Sequence, residues 1–153
     1  MSLIVDESEV IVRAIKAPSH LNSKTGKPKL AAFKARNGHD DVSVIRHSHV
    51  GSDFCKRKGQ LLTDGRDTYL GLAVLTARQI RDAVADVVDS RNVYCGHADI
   101  TYGFLRPPNE PNYARENMIL DERARKIADT VMFYKDPTPT SKFWVGEELA
   151  PRP

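Results

Sequence analysis

The seven residues at positions 69–75, YLGLAVL, constrain the fold most, because every side chain in the run is apolar or aromatic except at the single glycine. A strand with one face in water alternates apolar and polar residues, so a continuous apolar run indicates a strand covered on both faces. We therefore expect a sheet with packed layers on both sides, and we place this strand at its centre.

The residues that follow this strand predict a helix. Thr76 and Gln79 have the spacing of a capping box, in which each side chain satisfies a backbone N–H group that a helix start leaves unpaired. Apolar residues continue at helical spacing as far as residue 88. Residues 84–90, VADVVDS, are also rich enough in β-branched side chains to form a strand. The end of the helix is therefore left open between these alternatives.

Periodicity predicts the remaining elements. Alternating or apolar runs indicate strands, and one short segment indicates a helix; the strands are residues 9–16, 30–36, 42–48 and 93–104, and the helix is residues 53–62. Residues 30–36 and 42–48, separated by a turn, are expected to pair as antiparallel strands. From residue 113 to residue 134, apolar side chains form a stripe at helical spacing, which predicts a long helix lying across the sheet.

These elements predict an α+β fold, with a mainly antiparallel sheet of about five or six strands packed by a long C-terminal helix and one or two shorter helices. The length of 153 residues and the lack of a linker favour a single domain over residues 1–153. Residues 136–153 are Pro-rich and lack periodicity. Their aromatic pair, Phe143 and Trp144, is expected to hold this tail against the body of the protein or against a partner.

The cysteines and the N-terminal sequence bear on the compartment. Cys55 and Cys95 lie far apart, and no signal-peptide pattern precedes them. We therefore expect two free thiols in a reducing, cytoplasmic environment. No apolar run approaches the roughly 18 residues that cross a bilayer, so we expect no membrane association.

Basic residues are concentrated in the N-terminal part of a chain whose net charge is +3. Residues 1–66 contain 12 Lys and Arg against 7 Asp and Glu, whereas residues 67–153 contain 11 against 13. The basic clusters consist of Lys24, Lys27, Lys29, Lys34, Arg36, Lys56, Arg57 and Lys58. Such clusters attract phosphate-bearing partners, although lysines are also the ordinary content of a solvated loop.

Two predicted strands carry side chains that are typical of a site. If the strand at 42–48 extends further, His47 and His49 share one face and lie about 6.5–7 Å apart. On a later strand, His97 and Asp99 share the face opposite Tyr94. If the two strands are neighbours, these four side chains suit zinc or another divalent ion with an open position for water. The pattern permits a metal but does not require one.

A metal-free site is the alternative. His97 would act as general acid or base, and Arg13 or Arg46 would hold the anionic group of a phosphoester. Arg46 lies on the strand face opposite His47 if both belong to one strand, so these two are not expected to serve one site unless the strand ends or bulges between them.

No strong motif selects one function. The sequence contains no glycine-rich phosphate loop, no Cys-x-x-Cys pair and no nucleophile elbow. Three hypotheses stay open: an accessory or protein-interaction domain, a small hydrolase acting on a phosphoester or nucleic acid, and a sequence-tolerant nucleic-acid binder. The expected partner is accordingly a protein or a phosphate-bearing ligand.

Overall fold

The computed structural model describes residues 2–153, and within them it confirms the α+β class, with a six-stranded antiparallel sheet and a separate two-stranded hairpin. The strands are β1 (Val10–Ala17), β2 (Leu21–Asn22), β3 (Lys27–Pro28), β4 (Asp41–Arg46), β5 (Thr68–Thr76), β6 (Asp86–Asp89), β7 (His97–Thr101) and β8 (Met132–Lys135). The helices are α1 (His47–Gln60), α2 (Ala77–Asp82) and α3 (Tyr113–Thr130), with a 3-10 turn at Leu30–Ala32. The six strands follow the order β6-β7-β4-β1-β5-β8, and β2 pairs with β3.

The sheet carries a packed layer on each face. One face is covered by α2, α3 and the 3-10 turn, and the other by α1 and the C-terminal tail. Strand β5 contributes to both layers, because Leu75 packs in the first and Leu72 and Val74 pack in the second. The expectation that this strand is covered on both faces is confirmed. The prediction that β5 is the central strand is wrong, since β1 and β4 occupy the middle of the sheet.

The capping box is confirmed, and the open end of its helix is resolved. Thr76 Oγ1 accepts a hydrogen bond from the Gln79 N–H at 3.2 Å, and Gln79 Oε1 accepts one from the Thr76 N–H at 2.9 Å. Helix α2 ends at Asp82, and Val84 has a positive φ of 60°. Strand β6 then follows, so the strand alternative for this stretch is the correct one.

Residues 30–36 do not form a strand, and the expected hairpin with residues 42–48 is absent from the described chain. Strand β4 pairs with β1 and β7 instead. Phe33 is fully buried in the layer that contains α3, so this segment fills the core with side chains where pairing was expected. The long helix also ends earlier than expected, because residues 132–135 form the edge strand β8.

A buried lysine connects the C-terminal tail to the body of the protein. Lys56 on α1 has no solvent exposure, and its Nζ lies 3.2 Å from Asp136 Oδ2. The same ammonium donates to the carbonyl oxygens of Thr138 at 2.6 Å and Phe143 at 2.8 Å. Asp136 also accepts a hydrogen bond from the Tyr69 hydroxyl at 2.7 Å. A buried charge is tolerated when it is paired and fully hydrogen-bonded, and these contacts meet that condition.

None of the helices within residues 2–153 combines the length and the apolar character needed to cross a bilayer.

We expect Lys56→Met to lower the free energy of unfolding by about 3–5 kcal/mol, because the Asp136 carboxylate would stay buried without its counter-charge. Urea unfolding measures the change. The control is Arg57→Met at the exposed neighbouring position, where a change within about 0.5 kcal/mol is expected. Adding Asp136→Asn to Lys56→Met should recover part of the loss. Equal stability of the two single variants would contradict this assignment.

Candidate functional site

The centre of the sheet is split. In the described part of the chain, β1 and β4 form only two residue pairs, Ile11 with Arg46 and Val12 with Ile45. Beyond these pairs β1 stays paired with β5 as far as Ala17, and β4 stays paired with β7 as far as Asp41. Each strand therefore keeps its outer neighbour while the two inner strands separate. We call the space between residues 13–17 and residues 41–44 the central cleft.

Arg13 occupies the point where the two strands separate. Its Nε donates to the Ala32 carbonyl oxygen at 3.0 Å, and its Nη1 donates to the Ser43 carbonyl oxygen at 3.0 Å. The guanidinium thus supplies to β4 a hydrogen bond that the backbone of a fully paired neighbouring strand would otherwise provide. Among residues 2–153, no carboxylate forms an ion pair with Arg13, so its charge is not neutralised by a partner.

Two cavities open at the central cleft and share Arg13, Ser43 and Leu62. The basic cavity, of about 290 Å³, is also lined by Lys16, His20, Ala31, Lys34, Arg36, Asp41 and Val42. The apolar cavity, of about 200 Å³, is also lined by Val12, Ala14, Val44, Ile45, Lys58, Val93, Tyr94 and His97. Because they share three lining residues, the two cavities adjoin each other at Arg13.

Positive charge exceeds negative charge around the basic cavity. Lys34 Nζ lies 2.6 Å from Asp121, and Lys16 Nζ lies 3.6 Å from Asp67, so these two ammonium groups are partly neutralised. Arg36 is exposed and, within residues 2–153, forms no ion pair. Asp41 also lines the cavity, so its lining holds four cations and one carboxylate. A concave surface with an excess of one sign of charge favours ligands of the opposite sign.

His20 is buried in the wall of the basic cavity in its neutral form. Its Nδ1 accepts a long hydrogen bond of 3.4 Å from the Lys16 backbone N–H. Burial, followed by the nearby charges of Arg13 and Lys16, lowers the pKa of His20 to about 4, against an opposing effect of Asp67. The imidazole is therefore uncharged at neutral pH, which leaves its other nitrogen able to donate a hydrogen bond.

His97 lies at the start of β7 and is only 6% exposed. Its ring meets Tyr94 edge-on, with the ring centroids 4.9 Å apart. Among the described residues, its buried Nδ1 has no hydrogen-bond partner. The prediction that Tyr94 lies on the face opposite His97 is wrong, because a turn at Gly96, with φ of +93°, precedes the strand and brings the two rings together.

The proposed metal ligands do not come together. His47 and His49 belong to helix α1, so the prediction that they share a strand face is wrong; β4 ends at Arg46 and the backbone becomes helical at the next residue. The His47 ring instead lies 2.9 Å from the Ser52 hydroxyl, and Asp99 accepts a hydrogen bond from Ser90 at 2.6 Å. Across residues 2–153, no group of three or more His, Cys, Asp or Glu is arranged to hold a metal ion.

Arg46 binds groups of the protein itself near the N-terminus and is not free to hold an anion. It is 1% exposed, and its guanidinium binds Glu9 through two nitrogens and Asp89 at 2.6 Å. It also donates to the carbonyl oxygens of Ser2 and Ile4. The hydrogen bonds to Glu9 and Asp89 raise the pKa of Arg46. Hydrogen bonds from Arg91, and to a lesser extent from Arg46, hold the pKa of Asp89 well below its usual range. The anion-holding alternative therefore falls to Arg13.

The predicted basic residues separate into groups. Lys34 and Arg36 line the basic cavity, and Lys58 lines the apolar cavity. Lys56 is fully buried against Asp136 and cannot contact nucleic acid. The others, Lys24, Lys27, Lys29 and Arg57, are exposed and do not line the central cleft.

Several residues of the cleft were not among the predicted site residues, namely Lys16, His20 and Ser43. The available signal was Arg13, a charged residue inside the otherwise apolar strand VIVRAI. A long charged side chain at such a position must either reach solvent or be paired inside, and either outcome identifies an irregular part of the sheet.

Comparisons with protein-family models, curated proteins and solved structures find no significant match to this chain.

Stability should fall as the pH drops from 6.5 towards 4, because the unfolded chain protonates His20 in that range while the folded protein does not. The lowered pKa of His20 corresponds to a change of at most about 3 kcal/mol in the free energy of unfolding. We expect His20→Gln to remove this component when urea unfolding is compared at pH 7 and pH 4.5. His39→Gln, at an exposed position, should keep the full pH dependence. A His20→Gln profile identical to that of the control would contradict the neutral buried imidazole.

Proposed function

We propose that this protein binds a small phosphate-bearing ligand in the central cleft. The observation that carries the proposal is Arg13, held between two separated strands by carbonyl oxygens and surrounded by the cations of the basic cavity. A guanidinium offers several N–H donors in one plane and matches the oxygens of a phosphate group.

The split in the sheet supports a functional role for this position. Central strands normally satisfy each other's backbone groups, and leaving them apart sacrifices hydrogen bonds at the middle of the fold. Departures of this kind from regular structure are expected at functional sites, where they create a concave surface. The loss of pairing between β1 and β4 opens both cavities.

The cleft favours a small ligand over a nucleic-acid strand. Its cations lie in a concavity, whereas the exposed lysines of the β2–β3 hairpin lie elsewhere and Lys56 is buried. A strand-binding protein needs a basic groove that follows the phosphate backbone over several nucleotides. The accessory-domain hypothesis explains neither the split sheet nor an Arg13 guanidinium that has no carboxylate partner within residues 2–153.

Titration of ¹⁵N-labelled protein with pyrophosphate at low ionic strength tests the proposal. We expect saturable shifts of the backbone amides at residues 13–16, 34–36 and 41–43. Lys34→Ala with Arg36→Ala should weaken binding about tenfold, since each lost charge-assisted contact costs on the order of 1 kcal/mol. The matched control, Lys24→Ala with Arg57→Ala, removes the same charge from exposed positions outside the cleft and should leave the affinity within about twofold.

Two results would overturn this proposal: no saturable shift in the cleft amides, or equal weakening in the two double variants. A single-stranded oligonucleotide that binds more tightly than pyrophosphate and is weakened equally by both double variants would instead favour the nucleic-acid hypothesis.

Phosphoester hydrolysis is a second candidate, favoured by the finding that Arg13 and His97 line the same cavity. In that reaction a water oxygen bonds to phosphorus as the water loses a proton, the P–O bond to the ester oxygen breaks, and the departing oxygen receives a proton in exchange. His97 would transfer the proton and Arg13 would stabilise charge on the phosphoryl oxygens.

We expect His97→Gln to reduce hydrolysis of bis(p-nitrophenyl) phosphate by about a hundredfold, the usual contribution of a general acid or base. His39→Gln should retain the full rate. Release of p-nitrophenol no faster than in buffer by the unaltered protein would remove this candidate while leaving the binding proposal intact.

A further inference from the structure

We infer that the phosphate-bearing ligand is a nucleoside phosphate whose base lies in the apolar cavity while its phosphate lies in the basic cavity. The inference rests on the proposed function and adds the chemical class of the ligand. It starts from the adjacency of the two cavities, which share Arg13, Ser43 and Leu62. A ligand that fills both must have an anionic end and an uncharged end, joined near Arg13.

The surface of the apolar cavity is suited to a flat aromatic group. The side chains of Val12, Ala14 and Ile45 belong to the core layer beneath α1 and give it an apolar floor. Tyr94 adds an aromatic wall and is only half-buried. Every nucleobase has an apolar face that stacks on such a ring, whatever the pattern of its hydrogen-bonding edge.

Polar groups also line this cavity and match the edge of a base. Ser43 is exposed although it lies on an inner strand of the sheet, because β1 is not paired beside it. His97 contributes a ring whose Nδ1 has no hydrogen-bond partner among the described residues, and Lys58 holds its Nζ 4.2 Å from the centroid of the Tyr94 ring. A purely aliphatic ligand would leave these groups unsatisfied, whereas a base offers donors and acceptors in its plane.

The volumes limit the ligand to about one nucleotide. The two cavities measure about 290 Å³ and about 200 Å³. Sites for compact organic ligands usually hold ~300–1,000 Å³, so neither compartment reaches that range alone and the two reach it jointly. This favours a nucleoside monophosphate or diphosphate over an oligonucleotide.

The test compares adenosine monophosphate, cytidine monophosphate and ribose 5-phosphate in the same ¹⁵N titration of the full chain. We expect both nucleotides to bind about tenfold more tightly than ribose 5-phosphate, because stacking of a base adds to binding of the phosphate. The amides of residues 93–98 should shift with the nucleotides and not with ribose 5-phosphate.

Tyr94→Leu should remove the preference for nucleotides and leave the affinity for ribose 5-phosphate unchanged. Tyr113→Leu, a substitution of the same kind outside both cavities, should keep the preference. Equal affinities of the unaltered protein for ribose 5-phosphate and the nucleotides would overturn the inference and leave the proposed function standing. Failure of all three compounds and of pyrophosphate to bind would overturn the proposed function as well. Nucleotide binding that shifts amides only outside the cleft would also overturn the inference.

Discussion

The contact of Arg13 with the Ser43 carbonyl is the interaction on which the centre of this molecule depends. It joins two strands that have ceased to pair, and its second bond, to Ala32, attaches the segment beneath α3 to the same point. Both bonds use uncharged acceptors, so the guanidinium is positioned without losing its charge. The same side chain therefore closes a defect in the sheet and keeps a cation beside two cavities.

Buried basic residues perform related work elsewhere in the fold. Arg46 fixes the N-terminal segment through Glu9, Asp89 and backbone carbonyls, and Lys56 fixes the C-terminal tail through Asp136 and further backbone carbonyls. In both, a carboxylate neutralises the cation, which is the arrangement expected of a structural ion pair. Arg13 differs from them in this respect, and the difference separates a residue available to a ligand from two that are committed to the fold.

Local patterns were sufficient to predict much of the fold and little of the site. The apolar run at 69–75 and the capping box at Thr76 depend on neighbouring residues, so the sequence reveals them directly. Phe33 was misjudged because its burial under α3 depends on a helix some eighty residues later. The separation of β1 from β4 depends on pairings at four different strands, and the position of Tyr94 depends on one glycine turn. Such contacts between residues far apart in the chain do not produce a periodic pattern, so they cannot be predicted from the periodicity of the sequence.

The incomplete pairing of β1 with β4 also has a mechanical consequence. The strands β6, β7 and β4 form one continuously paired part of the sheet, and β1, β5 and β8 form the other. Among the described residues of the sheet, two residue pairs and the Arg13 guanidinium join these two parts. We therefore expect the seam between them to be the most easily deformed line in the sheet. A ligand bound in that seam would contact both parts of the sheet at once. Its binding would therefore reduce the motion of one part relative to the other and stabilise the folded protein.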